Sequence, residues 1–328
     1  MKRSFQAGRE SGVSRVIGFS EEGERNALDY FKDRFENNDI ETKEKEKTSE
    51  QLEIIRRINI CMKTFIAQYG IESIDVNPNN IHFLDKEKFS EDALKKITDA
   101  LGTENGFHSA GKQAICILKE YEDNKLSFLQ TLVHEIIHMQ AFDSFQKTDQ
   151  EKPELDLHSE DGSIDSLSTR RVGFAIVSED GKTEFFKFLN EAITTELAIR
   201  FERAYITSWP EVASNLEIRN EFINELIENE DVKVEDAQNT VAVVHAGTDT
   251  GYDWSSYSYH SERKQFNEVI DQLYLKNSDK FESREEIFTM FATAAMTGRL
   301  LPVARLIEST FGKGSFRAGG IRSGETSE

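Results

Sequence analysis

The run TLVHEIIHMQAF, residues 131–142, sets two histidines four residues apart with a glutamate directly after the first. On a helix, His134 and His138 lie on one face, one turn apart. That separation suits two bonds of roughly 2.0–2.1 Å to a single zinc ion. Glu135 projects beside the same face. A carboxylate there can take a proton from a zinc-activated water and deliver it to a leaving amine. The surrounding residues, Leu129, Leu132, Val133, Ile136, Ile137 and Met139, are apolar. They require a buried helix whose only central polar feature is the His/Glu face. Burying those three groups without a partner is costly, so the pattern favours a metal centre over an ordinary helix with half-buried histidines.

The rest of the composition narrows the setting. A chain of 328 residues can form one large domain or two of ordinary size, and 38% apolar residues suffice for a core. The net charge of −20 opposes general affinity for nucleic acid or an anionic membrane surface. No run of about 18 uncharged apolar residues is present, so no membrane span is expected. The first residues, MKRSFQAGRESGVSRVIGFS, lack the apolar core of a secretory signal. Cys61 and Cys116 sit in apolar runs and read as buried free thiols. Together these features point to a cytoplasmic protein.

The pattern along the chain predicts an α+β fold. Residues 1–20 read as a flexible Gly/Ser/Arg tail, and the charged stretch 21–49 as partial helix or disorder. Order is expected from about Gln51, with a helix ending at Gly70. A short strand over IESID, a break at Asn77-Pro78 and a strand at Ile81–Leu84 follow. A short helix is expected from Ser90 to Gly102, then a turn and a strand over Gln113–Leu118. The long helix carrying His134 spans Lys125–Gln146, and residues 147–168 form a polar connection. The motif EDG at 179–181 separates two apolar runs and predicts a hairpin leading into a helix. The remainder to about residue 312 is mainly helical, broken by the insert VVHAGTDTGYDWSSYSYHSE, and 313–328 is a loose tail. The expected division is a flexible segment 1–50, a catalytic domain 51–210, a helical subdomain 211–312 and the tail. A small N-terminal β-sheet packs on the histidine helix and a mainly helical lobe follows. No oligomeric state follows from the sequence.

A catalytic zinc needs a third protein ligand and an open position. The extension HExxHxxGxxH is excluded, because Ala141 and Ser144 stand where Gly and His are required. GTDTG at 247–251 has the wrong spacing for a GTxxD pattern. His158, in a polar loop, is one alternative. The stronger candidate is Glu191 in LNEAITTEL, at the start of a helix, where the acid can also be read as one favoured by the helix dipole. Glu196 is a weaker candidate.

His-Glu-x-x-His followed on a second helix by Asn-Glu-Ala-Ile-Thr resembles the gluzincin metallopeptidases, the thermolysin-like zinc hydrolases. The resemblance covers about residues 125–205 and, more loosely, the strands before them. It implies His134, His138 and Glu191 as zinc ligands and Glu135 as general base. The family often places an acid four residues after the third ligand, orienting a zinc histidine. Thr195 stands there, with Glu196 next, so Thr195 becomes the candidate partner for a histidine. The resemblance also implies a cleft edged by a strand, expected to be QAICILKE, to which an extended peptide could add.

Amide hydrolysis develops an oxyanion that a Tyr or His can hold. The insert offers Tyr252, Tyr257, Tyr259 and His260. Tyr259 and His260 are favoured because they adjoin a helix start, while a solvated loop is the competing reading. His245 reads as structural, and His82 and His108 receive no role. The expectation is a zinc-dependent peptidase acting on a peptide or protein substrate. The alternatives are a zinc hydrolase of a non-peptide amide, a degenerate or structural zinc-binding interaction protein, and a regulator that cleaves one specific partner.

Overall fold

The computed structural model describes residues 10–38, 43–92, 94–95, 105–148, 155–158, 164–178, 180–230, 232–246 and 252–322; within these, side chains at 155–158, 164–165, 229–230, 246 and 321–322 are not described. The protein is a mixed α+β fold. In chain order, β1 (Val13–Ile17), α1 (Glu21–Glu36), α2 (Ser49–Ala67), β2 (Ile81–Phe83), β3 (Gly106–Ser109) and β4 (Ala114–Ile117) precede α3 (Lys125–Gln140). Then come β5 (Asp143–Lys147), β6 (Leu155–His158), β7 (Ile164–Val172), β8 (Ala175–Val177), β9 (Glu184–Phe185) and α4 (Lys187–Ala204). The last part holds α5 (Ala213–Glu230), α6 (Val234–Thr240), β10 (Val241–Ala246), β11 (Tyr252–Ser256), α7 (His260–Lys276), α8 (Arg284–Thr297), α9 (Leu301–Phe311) and α10 (Ser315–Arg322).

Helix α2 begins with a complete capping box. The Thr48 side chain accepts from the Gln51 amide, and the Gln51 side chain accepts from the Thr48 amide. Its apolar stripe, Ile54, Ile55, Ile58, Met62, Phe65 and Ile66, is buried. That stripe enters one continuous core with Phe83, Ile115, Phe128, Leu132, Ile136, Ile193, Phe201, Phe266, Phe288 and Phe291. Helix α3 lies inside this core, which is why apolar residues surround its polar face.

Among the described residues, three sheets flank the helices. The first runs β1-β5-β7-β8-β9 with β6 on β7, the second is β2-β4-β3, and the third is the hairpin β10-β11. β1 pairs parallel with β5, and α1 covers this sheet through Ala27 and Phe31 against Val13, Val16 and Phe145.

Several elements differ from the sequence expectation. Val13–Ile17 is a strand inside the expected tail, because β5 gives it a partner. Helix α3 stops at Gln140 rather than Gln146. The Phe142 amide donates to the Ala295 carbonyl, and the Phe142 carbonyl accepts from Gly173. Gly298, at φ +76°, leaves room for the Phe142 ring, which a Cβ there would meet at 2.7 Å. Residues 71–77 contain no strand, since Gln140 bonds both the amide and the carbonyl of Ile74 and Asn59 bonds those of Val76. The strand Ile164–Val172 begins within the expected polar connection and runs beyond it, and Ser315–Arg322 is a helix within the expected loose tail. The hairpin at EDG is present as β8-β9. Most of the expected helix 90–102 lies outside the described residues.

The turn between β7 and β8 is fixed by close packing against α4. Gly173, at φ +55°, lies so near Asn190 that a Cβ would meet its Oδ1 at 2.3 Å. That Oδ1 accepts from the buried Phe174 amide at 2.7 Å. Asn190→Ala strands that donor and is expected to cost about 1–3 kcal/mol. Urea denaturation against wild type measures this, and an unchanged midpoint would remove the contact's importance.

Candidate metal centre

Helices α3 and α4 pack side by side and bring three donors to one point. His134 Nε2 and His138 Nε2 are 3.0 Å apart. Glu191 Oε2 lies 3.3 Å from the first and 3.2 Å from the second. Donors bound at about 2.0–2.1 Å to one tetrahedral ion stand roughly 3.3–3.4 Å apart. The three atoms therefore fit a single small divalent ion, and the His₂Glu donor set suits zinc. Among the described residues this is the one His/Cys/Asp/Glu group with such convergence.

The electrostatics follow from burial. Burial alone would lower the His138 imidazole, but the Glu191 carboxylate reverses this and raises it to about 9. Burial works against ionised Glu191 too, yet His138 and His134 hold it well below the ordinary carboxylate range. A proton on His138 thus balances the Glu191 carboxylate. Glu135 shows the opposite direction. Burial pushes its carboxyl up against the pull of His134 and His138.

The outer contacts are partly those expected. Thr195 Oγ1 is 3.4 Å from His134 Nδ1, at the position where an acid was expected. Glu196 is not a ligand. It pairs with Arg263 at 3.0 Å and Arg200 at 3.6 Å, facing away from the histidines. Asp143, fully buried at the start of β5, adds to the upward push on His138. His158 ends β6, its backbone paired with Ile164 of β7, and its side chain lies outside the described residues.

Tyr259 joins the site from the other wall. It precedes α7 in the left-handed conformation, φ 54°, and its ring stacks on His134 with centroids 6.2 Å apart. Burial and the nearby Glu191 and Glu135 carboxylates push its phenol up, so it stays a proton donor. His260 does not line the cleft. Tyr257 does, but its hydroxyl is committed to Glu202 at 3.1 Å, beside Arg219. Tyr252 packs on Phe222 in the β10-β11 hairpin, away from the donors. His245 is an exposed strand residue, and His82 contacts Glu44.

The donors open into a cleft of about 380 Å³. The strand along it corrects the sequence reading. QAICILKE supplies β4, which lies in the middle of its sheet, and β3 is the edge. Gly106, Phe107 and His108 of β3 line the cleft, and the His108 backbone hydrogen-bonds Glu135. The sequence GFHS predicts a turn, since so short a run between glycines carries little strand signal, and the structure makes it β3. Gln130, Ser127 and Lys119 also line the cleft and had received no role. Gln130 sits one turn before His134, a spacing that could have marked it.

No family model matches the chain, and neither a curated protein nor a solved structure matches it at a significant level.

One zinc per chain is the expected stoichiometry by elemental analysis. His134→Ala, His138→Ala and Glu191→Ala are each expected to lose it. A zinc ion bound there would displace the His138 proton below about pH 9, so its affinity should rise with pH toward that value. Calorimetry in buffers of different ionisation enthalpy should register about one proton released near neutral pH. Equal heats in all buffers would overturn the protonated pair.

Proposed function

We propose that the protein is a zinc-dependent peptidase of gluzincin type, with His134, His138 and Glu191 as metal ligands. The observation that carries this reading is the convergence of those three donors beside a buried glutamate and a tyrosine hydroxyl, at the foot of a strand-edged cleft. A zinc ion held there would polarise the scissile carbonyl and activate a water.

The chain's own groups would do the rest. Glu135 takes a proton as the water oxygen bonds to the carbonyl carbon, then passes it to the departing amine as the C–N bond breaks. Its environment favours holding that proton between the two steps, since burial disfavours the ionised carboxylate. Tyr259 donates its hydroxyl to the oxyanion. Thr195 orients the His134 ring through Nδ1. The β3 edge aligns an extended substrate by backbone pairing. A small sheet against α3 and a helical lobe beyond α4 form the two walls in this reading. Among the described residues no helix is long and apolar enough to cross a membrane. The acidic composition favours peptides over nucleic acid as substrates.

Glu135→Gln should keep the zinc and lose roughly a hundredfold to ten-thousandfold in kcat/KM. Tyr259→Phe should lose roughly a hundredfold to a thousandfold, mainly in kcat. A quenched-fluorescence peptide library, with zinc content measured on the same samples, tests both. Activity surviving in Glu135→Gln would remove the base, and wild type without zinc would end the proposal.

A further inference from the structure

The cleft has a direction. Two contacts set α3 and β3 alongside each other, and a third joins α3 to Lys119, which follows β4. The His108 backbone bonds Glu135. One turn earlier, a Cβ on Gly106 would meet Thr131 Cγ2 at 3.0 Å. One turn earlier again, Lys119 Nζ donates to Ser127 Oγ. From Glu135 back to Ser127 the helix rises about 12 Å, which an extended chain covers in three to four residues.

Lys119 closes this end of the cleft. Its side chain lines the cleft with Asn105, Ser127 and Gln130, and it makes no ion pair within 4.0 Å among the described residues. Burial lowers its ammonium below the ordinary range, and Lys86 adds to the positive potential, against a weaker opposing pull from Asp123. A half-buried ammonium whose neighbouring partner is a neutral hydroxyl lacks the counter-charge that would offset its desolvation. Apart from the histidines, the other charged side chains lining the cleft are carboxylates, Glu135, Glu191, Glu184 and the Arg219-paired Glu202.

We propose that Lys119 is a specificity-determining residue that binds a substrate carboxylate three to four residues from the scissile bond. The proposal rests on the peptidase reading and names the substrate class: peptides with either an acidic side chain or a free C-terminus at that distance. Ser127, buried and hydrogen-bonded to Nζ, positions the ammonium. Charge-assisted hydrogen bonding of this kind corresponds to roughly a tenfold to hundredfold preference in kcat/KM.

The test uses the full-length zinc-loaded protein and peptides carrying Glu or Gln at each of four positions on either side of the cleaved bond. A matched set carries a free or an amidated C-terminus. The expected result is a preference of about tenfold or more for Glu at the third or fourth position, or for the free C-terminus there; the arm that responds identifies the source of the carboxylate. Lys119→Met should abolish that preference, and Lys119→Glu should turn it toward Lys at the same position. Zinc content and thermal midpoint report whether each variant is folded. The wild-type comparison stands without any variant. Cleavage with no preference for a carboxylate at any position overturns the Lys119 site and leaves the peptidase reading intact. Cleavage of no peptide overturns the peptidase reading and the site with it. A preference that survives in folded Lys119→Met assigns the carboxylate to another residue and overturns the proposal.

Discussion

The packing of α3 against α4 is the constraint on which the site depends. Each helix is apolar over most of its surface, and each carries polar groups into the shared interface. Two imidazoles and a carboxylate within 3.0–3.3 Å of each other are tolerable in a core only if something positive sits among them. A proton on His138 is the minimum solution, and a divalent cation answers the geometry better because it satisfies all three at once. The apolar packing that holds the helices therefore also prevents the donors from spreading apart. Fold and donor geometry are one arrangement seen from two sides.

A second layer keeps that arrangement in register with the opposite wall. Gln130 donates to Glu202 on α4 at 2.8 Å and to the Ala242 carbonyl on β10. Arg219 on α5 donates to Glu202 at 2.7 Å, and Tyr257 joins both. This buried network ties the histidine helix to the segment that presents Tyr259. A buried ion pair of this kind adds little net stability. Its directional bonds fix the position of one wall relative to the other, which the cleft needs more.

Legibility in the sequence followed the range of the forces involved. The histidine helix, α2, the EDG hairpin and α4 were readable because local periodicity and turn chemistry specify them. Glu191 was readable because its neighbours place it at a helix start. Tyr259 could be selected among four candidates in the insert because it adjoins a helix, whereas His260, chosen on the same ground, is one residue too far along to face the cleft. What could not be read depended on distant partners. β1 needs β5, the end of α3 needs Ala295 and Gly173, and β3 becomes an edge only because β4 lies between it and β2. Lys119 gave no signal, since a lysine after a strand reads as solvated until the helix beside it is placed.

Both α4 and α7 start from an aromatic residue in the left-handed region, Phe186 at φ 61° and Tyr259 at φ 54°, and neither has a side-chain cap. Such a conformation costs a non-glycine residue of order 1–3 kcal/mol. On the peptidase reading, that cost coincides at position 259 with the hydroxyl offered to the oxyanion. A stabilising redesign guided by backbone preference alone would place glycine or asparagine there and remove that hydroxyl. Backbone preference and the proposed role pull against each other at this residue, so thermal stability is a poor guide to which of its substitutions are harmless.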